Sequence, residues 1–196
     1  EDVTKITIEF NGFTLRPADA KGIDYIPESS KVVLDLKAGT ENFIYTANKT
    51  AVSSNNNVEL CGTGKLVIQT GNNGFSCSNF TTTGGKPIVE LETTKDAIKA
   101  KQISITHGEF KFTNGETAIK AELNSKGAKG TLAIGGEAKV SVTGTKVALS
   151  GATSITVSDT AVIDIKTVEN AVVTPAYTCA ETASVKVDNV NYVHAA

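Results

Sequence analysis

The feature that most constrains the fold is a three-residue strand spelling that returns at nearly constant spacing. Leu66-Val-Ile68, Val89-Glu-Leu91, Phe110-Lys-Phe112, Val140-Ser-Val142, Ile163-Asp-Ile165 and Val185-Lys-Val187 follow one another at intervals of 23, 21, 30, 23 and 22 residues. In most of them two apolar residues flank a polar one, the period-two pattern of a strand with one buried face. A strand this short cannot bury its apolar face alone, so a chain that repeats it must stack the copies into a continuous core.

Two further series share the period. One opens each repeat: Ala51-Val52, Gly74-Phe75, Ala97-Ile98, Ala118-Ile119, a blurred Val147-Ala-Leu149, and Ala171-Val172. The other lies between: Val58-Glu-Leu60, Ile103-Ser-Ile105, Leu132-Ala-Ile134 and Ile155-Thr-Val157, degenerate around Phe80 and Cys179. The reading is an all-β chain forming a single right-handed parallel β-helix, with three strands per coil and about six to eight coils. A β-sandwich need not repeat every 21 to 23 residues. A leucine-rich repeat demands a Leu-x-x-Leu-x-Leu signature that this chain lacks.

Residues 50–196 carry the repeat, and residues 1–49 are expected as an N-terminal cap with one or two imperfect coils. Strand candidates there are Ile6-Thr-Ile-Glu-Phe10, Val32-Val-Leu-Asp-Leu36 and Phe43-Ile-Tyr45, interrupted by Arg16-Pro17 and Ile26-Pro27. The long interval is a polar, glycine-bearing insertion, Glu122 to Gly130, which a stacked core must place at a corner. The Ala97, Ala118 and Ala171 column is expected where the coil turns tightly. Glu90 and Lys111 are expected as outward neighbours on adjacent coils. Asn189-Val-Asn-Tyr-Val193 reads as a last strand with little to cover it, and such an edge invites an edge-to-edge dimer.

Composition excludes several functions. A net charge of −2, a pI near 5.8 and a single arginine, Arg16, give no attraction for nucleic acid. No apolar run reaches the ~18 residues of a membrane helix. Three cysteines, Cys61, Cys77 and Cys179, do not make a disulfide framework. The chain begins at Glu1 without methionine, which reads as a processed or trimmed terminus. GxSxG, HExxH and P-loop motifs are absent, and His107 and His194 are isolated. Outward Glu90 and Glu92 have the i, i+2 spacing of a carboxylate pair, as does any charged strand face. The expectation is that the protein is not an enzyme.

The stretch Asp96-Ala-Ile-Lys-Ala-Lys-Gln-Ile-Ser-Ile-Thr-His-Gly-Glu-Phe-Lys-Phe-Thr-Asn-Gly-Glu-Thr-Ala-Ile-Lys-Ala121 resembles the bacterial β-helical carbohydrate-binding domain family. The family's coils read roughly D-A-I-x-A, then I-x-I-x-G-G, then x-I-x-I, on a pectate-lyase-like fold. The clear match covers residues 96 to 121, and a looser one runs from about 50 to 190. The resemblance implies a non-catalytic module for acidic polysaccharide, exported and either secreted or held at the cell surface, for instance as a lipoprotein. It also implies calcium, for which Asp96 and Glu116 are the candidate ligands. The family repeats an Asp at the coil entry, whereas Thr117 and Asn170 stand at the equivalent corners here.

From the residues themselves, Lys99 and Lys120 fall one coil apart in one outward column, with Lys101 nearby. Spaced ammonium groups in that arrangement can meet the carboxylates of a uronic-acid polymer. The rival reading is a structural or adhesive surface protein whose solenoid serves as a rigid spacer.

Overall fold

The computed structural model describes residues 4–25, 31–123, 128–166, 168–188 and 190–191. Among them the regular structure is all strand, stacked as a parallel β-solenoid of about seven turns. The closing strands, from Thr14–Leu15 through Glu41–Thr46 to Ser184–Val187, form one sheet. The opening and middle strands form a second, and Phe75–Thr82 and Ile98–Ile105 each run from the opening position into the middle one.

The period seen in the sequence is the register of the stack. Leu66, Val89, Phe110, Val140, Ile163 and Val185 sit directly above one another. In the opening column Val52, Phe75, Ile98, Ile119, Leu149 and Val172 do the same. The middle column, blurred in sequence at Phe80, stacks Val58, Phe80, Ile103, Leu132 and Ile155. These side chains, with Val172 partly buried against the rest, form one hydrophobic core running from Phe10 to Val185. Each fully buried aliphatic or aromatic side chain contributes about 1.5–3 kcal/mol before entropy is counted.

The small column has a steric cause. Ala51, Ala97, Ala118 and Ala148 are fully buried at the entry to the opening strand. At Gly74, in the same column, a Cβ would stand 2.5 Å from both the Ala97 carbonyl oxygen and Leu91 Cδ2. Buried threonines close the neighbouring corner: the hydroxyls of Thr46 and Thr70 lie 2.8 Å apart, and both reach the Lys49 carbonyl.

Residues expected as a cap are more regular than their spelling. Lys5–Phe10 pairs in parallel with Lys31–Leu36, Thr14–Leu15 with Glu41–Thr46, and Ile23–Tyr25 with Val52–Ser54. Pro17 falls in the corner between strands, where no ladder bond is required; Ile26-Pro27 lies outside the described residues. A buried amide ties this first coil down. Asn42 Oδ1 accepts from the Gly12 and Phe13 amides at 2.8 and 3.3 Å, and Nδ2 donates to Lys65 O at 3.0 Å.

Among the described residues two pairings are antiparallel. Ala128–Lys129 pairs with the end of Thr117–Leu123, just before the middle strand Thr131–Ile134, and residues 124–127 of the insertion lie outside the described residues. Val190–Asn191 folds back on Ser184–Val187 rather than adding another parallel strand.

Candidate functional site

The outward side of the closing sheet carries the most developed site. Ile44 pairs with Ile68 in the interior, so alternation turns Phe43 and Tyr45 outward. Their rings run nearly parallel, at 7° with centroids 5.9 Å apart. The Arg16 guanidinium stacks on Tyr45, its Cζ 4.4 Å from the ring centroid. Such a cation–π contact holds an aromatic ring in place with a stabilisation of about 0.5–1 kcal/mol.

The register then continues the row outward from Tyr45 to Gln69, Glu92 and Thr113, one residue per coil. Gln69 Nε2 donates to Glu92 Oε2 at 2.8 Å, and Asn114 Nδ2 donates to Glu92 Oε1 at 3.3 Å. Asn114 holds its place from a left-handed turn conformation, φ 63°, which asparagine tolerates better than most residues. Tyr45, Gln69, Gly71, Glu92, Thr94 and Asn114 line an open, shallow cleft of about 510 Å³. A carboxylate gripped from both sides by amides is a fixed acceptor. The amide oxygens of Gln69 and Asn114 add two more on adjacent coils. Hydroxyl groups are the natural complement.

Beside this row, Glu90 and Lys111 are adjacent in register, as expected, but the ion pair of Glu90 is with Lys65 at 3.3 Å. Lys65 also contacts Glu41 at 2.9 Å, and Glu41 together with Glu90 raises its pKa.

Lys99 and Lys120 do stack in register on the opening sheet. Between them lies the carboxylate of Asp96, with Oδ2 4.0 Å from Lys99 Nζ and 3.6 Å from Lys120 Nζ. Glu122 stands 3.9 Å from Lys120, so this group has little net charge. Asp96 itself is buried, its backbone N–H donating to Asn73 Oδ1 at 3.1 Å, while its own Oδ1 is buried without a hydrogen-bond partner. Glu116 pairs with Lys95 at 3.2 Å, and Lys101 is exposed at the following corner.

The donor set does not suit calcium, because two ammonium groups crowd the Asp96 carboxylate where a divalent cation would need further oxygens. Among the described residues no cluster of three or more His, Cys, Asp or Glu could hold a metal ion. His107 Nδ1 meets the neighbouring Thr106 hydroxyl at 2.8 Å; His194 lies outside the described residues.

A family model described as carbohydrate-binding domain-containing protein matches residues 1–192. The chain belongs to that family, whose description points to a carbohydrate-binding role. No curated protein and no solved structure gives a significant match.

Proposed function

We propose that this carbohydrate-binding domain is a non-catalytic module that takes a glycan into the Tyr45–Gln69–Glu92–Asn114 cleft by hydrogen bonding its hydroxyls. The observation that carries the reading is the Glu92 carboxylate held between Gln69 and Asn114 on three successive coils, beside an aromatic ring fixed by Arg16. A carboxylate at the centre of the cleft favours uncharged sugar units there over uronic acids. The lysine face offers less to an acidic polymer than the sequence implies, since Lys99 and Lys120 share Asp96. Support for a binding rather than a hydrolytic role is that Glu92 is engaged through both oxygens and Glu90 is paired with Lys65. A polymeric glycan would be met outside the cell, which fits an exported protein, secreted or surface-held.

The test is a glycan array followed by calorimetry on the strongest soluble ligand. Glu92→Ala is expected to weaken binding at least about tenfold, equivalent to about 1.4 kcal/mol, and Tyr45→Ala to act in the same direction. Lys99→Ala with Lys120→Ala should leave affinity unchanged. Array-wide silence would instead favour the rigid spacer.

A further inference from the structure

The middle strands carry an outward face unlike that of the closing sheet. Its two rows are Asn57, Asn79, Gln102, Thr131, Ser154 and Glu59, Thr81, Ser104, Ala133, Thr156. From Asn79/Thr81 to Ser154/Thr156, four successive coils place no ionisable side chain on either row. The closing sheet over comparable coils presents Glu90, Glu92, Lys111 and Asp164. Exposed strand faces are ordinarily charged for solubility, so an uncharged stretch of this length calls for a reason.

Side-chain hydrogen bonds bridge adjacent coils at either end of the stretch. Asn79 Nδ2 donates to Asn57 Oδ1 at 2.7 Å, and the Thr178 hydroxyl donates to Thr156 on the next coil at 3.2 Å. A groove of about 380 Å³ opens on this face, with Ala133 leaving a gap in the polar row and Ile103 beneath. The Lys31–Glu59 ion pair at 2.6 Å bounds it at one end.

From Asn79 to Ser154 nearly every outward group can both donate and accept a hydrogen bond, and the charges at the edge of the groove, Lys31 and Glu59, are already paired with each other. A hydrogen bond exchanged with water yields only about 0.5–1.5 kcal/mol net. Useful affinity therefore needs several formed at once, with little ordering cost in the partner. A flexible soluble chain loses conformational freedom on such a face. A rigid, repetitive solid does not, and coils about 4.8 Å apart give the face a regular extent of about 14 Å from Asn79 to Ser154.

We propose that this face of the middle strands is a second carbohydrate-contact surface, lying flat on an ordered, uncharged polysaccharide and separate from the Tyr45 cleft. The proposal rests on the family's carbohydrate-binding role and not on the cleft.

The experiment measures depletion of the protein by microcrystalline cellulose and by crystalline chitin, with calorimetry on soluble cello- and chito-oligosaccharides in parallel. Ser104→Lys with Thr131→Lys, and separately Ala133→Asp, put charge into the face at outward positions; circular dichroism checks that each folds. Ser141→Lys on the closing sheet is the charge control. The expected result is at least a tenfold loss of binding to one of the solids in both face variants, with soluble binding and the control unchanged. The proposal is overturned if the wild type binds neither solid, if the face variants bind like the wild type, or if they lose soluble and solid binding equally. Glu92→Ala separates the two sites. Loss of binding to both soluble and solid ligands would put the solid at the cleft and remove the second surface. No effect of Glu92→Ala on soluble binding would remove the cleft reading, leaving the face to be judged on its own variants.

Discussion

Ile44 stacks on Ile68 inside the solenoid, and this one pairing turns Phe43 and Tyr45 to the outside. Had the strand slipped by a single residue, both rings would enter the core and the cleft would lose its wall. The register is held by what flanks Ile44: the satisfied amide of Asn42 and the corner hydroxyl of Thr46, both buried.

Truncating that anchor tests its contribution. Ile44→Ala removes buried methyl and methylene groups from a fully enclosed position, which typically costs about 2–5 kcal/mol. Chemical denaturation should show a lower midpoint with an unchanged slope, while glycan affinity of the folded protein stays near wild type.

Asn42 makes a sharper case. Asn42→Leu keeps the branched shape and number of heavy atoms but abandons the Gly12 and Phe13 N–H groups and the Lys65 carbonyl in a partly buried setting. Each group left unsatisfied costs about 1–3 kcal/mol. The substitution should therefore destabilise despite adding apolar surface, and hydrogen exchange should quicken first at Gly12 and Phe13.

The stack was legible in the sequence because burial forces period two within each strand and a fixed interval between coils. The site was not legible, for reasons its residues make plain. Phe43-Ile-Tyr45 and Phe110-Lys-Phe112 share an aromatic-x-aromatic spelling yet face opposite ways, because Ile44 competes for the interior and Lys111 does not. The available signal was the inward set Asn42, Ile44 and Thr46, read against Leu66, Ile68 and Thr70. Tyr45, Gln69, Glu92 and Asn114 come from four coils and form no local motif. The Lys99–Lys120 stacking was legible from its 21-residue spacing. The burial of Asp96 between them depends on corner geometry, which alternation does not encode.

That burial leads to a second pair of outcomes. Asp96→Ala leaves Lys99 and Lys120 facing each other without their shared carboxylate. Both lysines are partly hydrated, so a loss of about 1–3 kcal/mol is expected, below the cost of breaking a fully buried pair. Adding calcium to the wild type should leave its melting midpoint unmoved. A calcium-dependent rise that Asp96→Ala abolishes would instead place a cation there.

The thiols should separate cleanly. Burial pushes Cys77 up to about 12, and burial together with the nearby Asp35 carboxylate raises Cys61 above its usual value. With an aromatic disulfide reagent at pH 8, native Cys77 should remain unmodified and Cys61 should react slowly. All three cysteines should react in denaturant, giving a step in the released thiolate absorbance on unfolding.

The Lys31–Glu59 pair sets a pH signature. Lys31 Nζ donates to Glu59 Oε2 at 2.6 Å and Thr83 Oγ1 donates to Oε1 at 2.6 Å, and these bonds, the lysine's foremost, hold the Glu59 carboxyl below its ordinary value. A carboxyl whose pKa is lower in the folded than in the unfolded chain binds fewer protons when folded. Its stabilisation is then fully present above the unfolded value, about 4.3, and is lost as pH falls through the folded one. The Lys31 end of the pair is open to solvent and Glu59 is partly exposed, so screening leaves a contribution of about 0–1 kcal/mol. Denaturation of wild type and Glu59→Gln should therefore differ by a constant amount from pH 7 to about pH 5 and converge only as the pH falls past the lowered value of the folded carboxyl. A difference that persists in acid would assign the effect of the substitution to packing instead of charge.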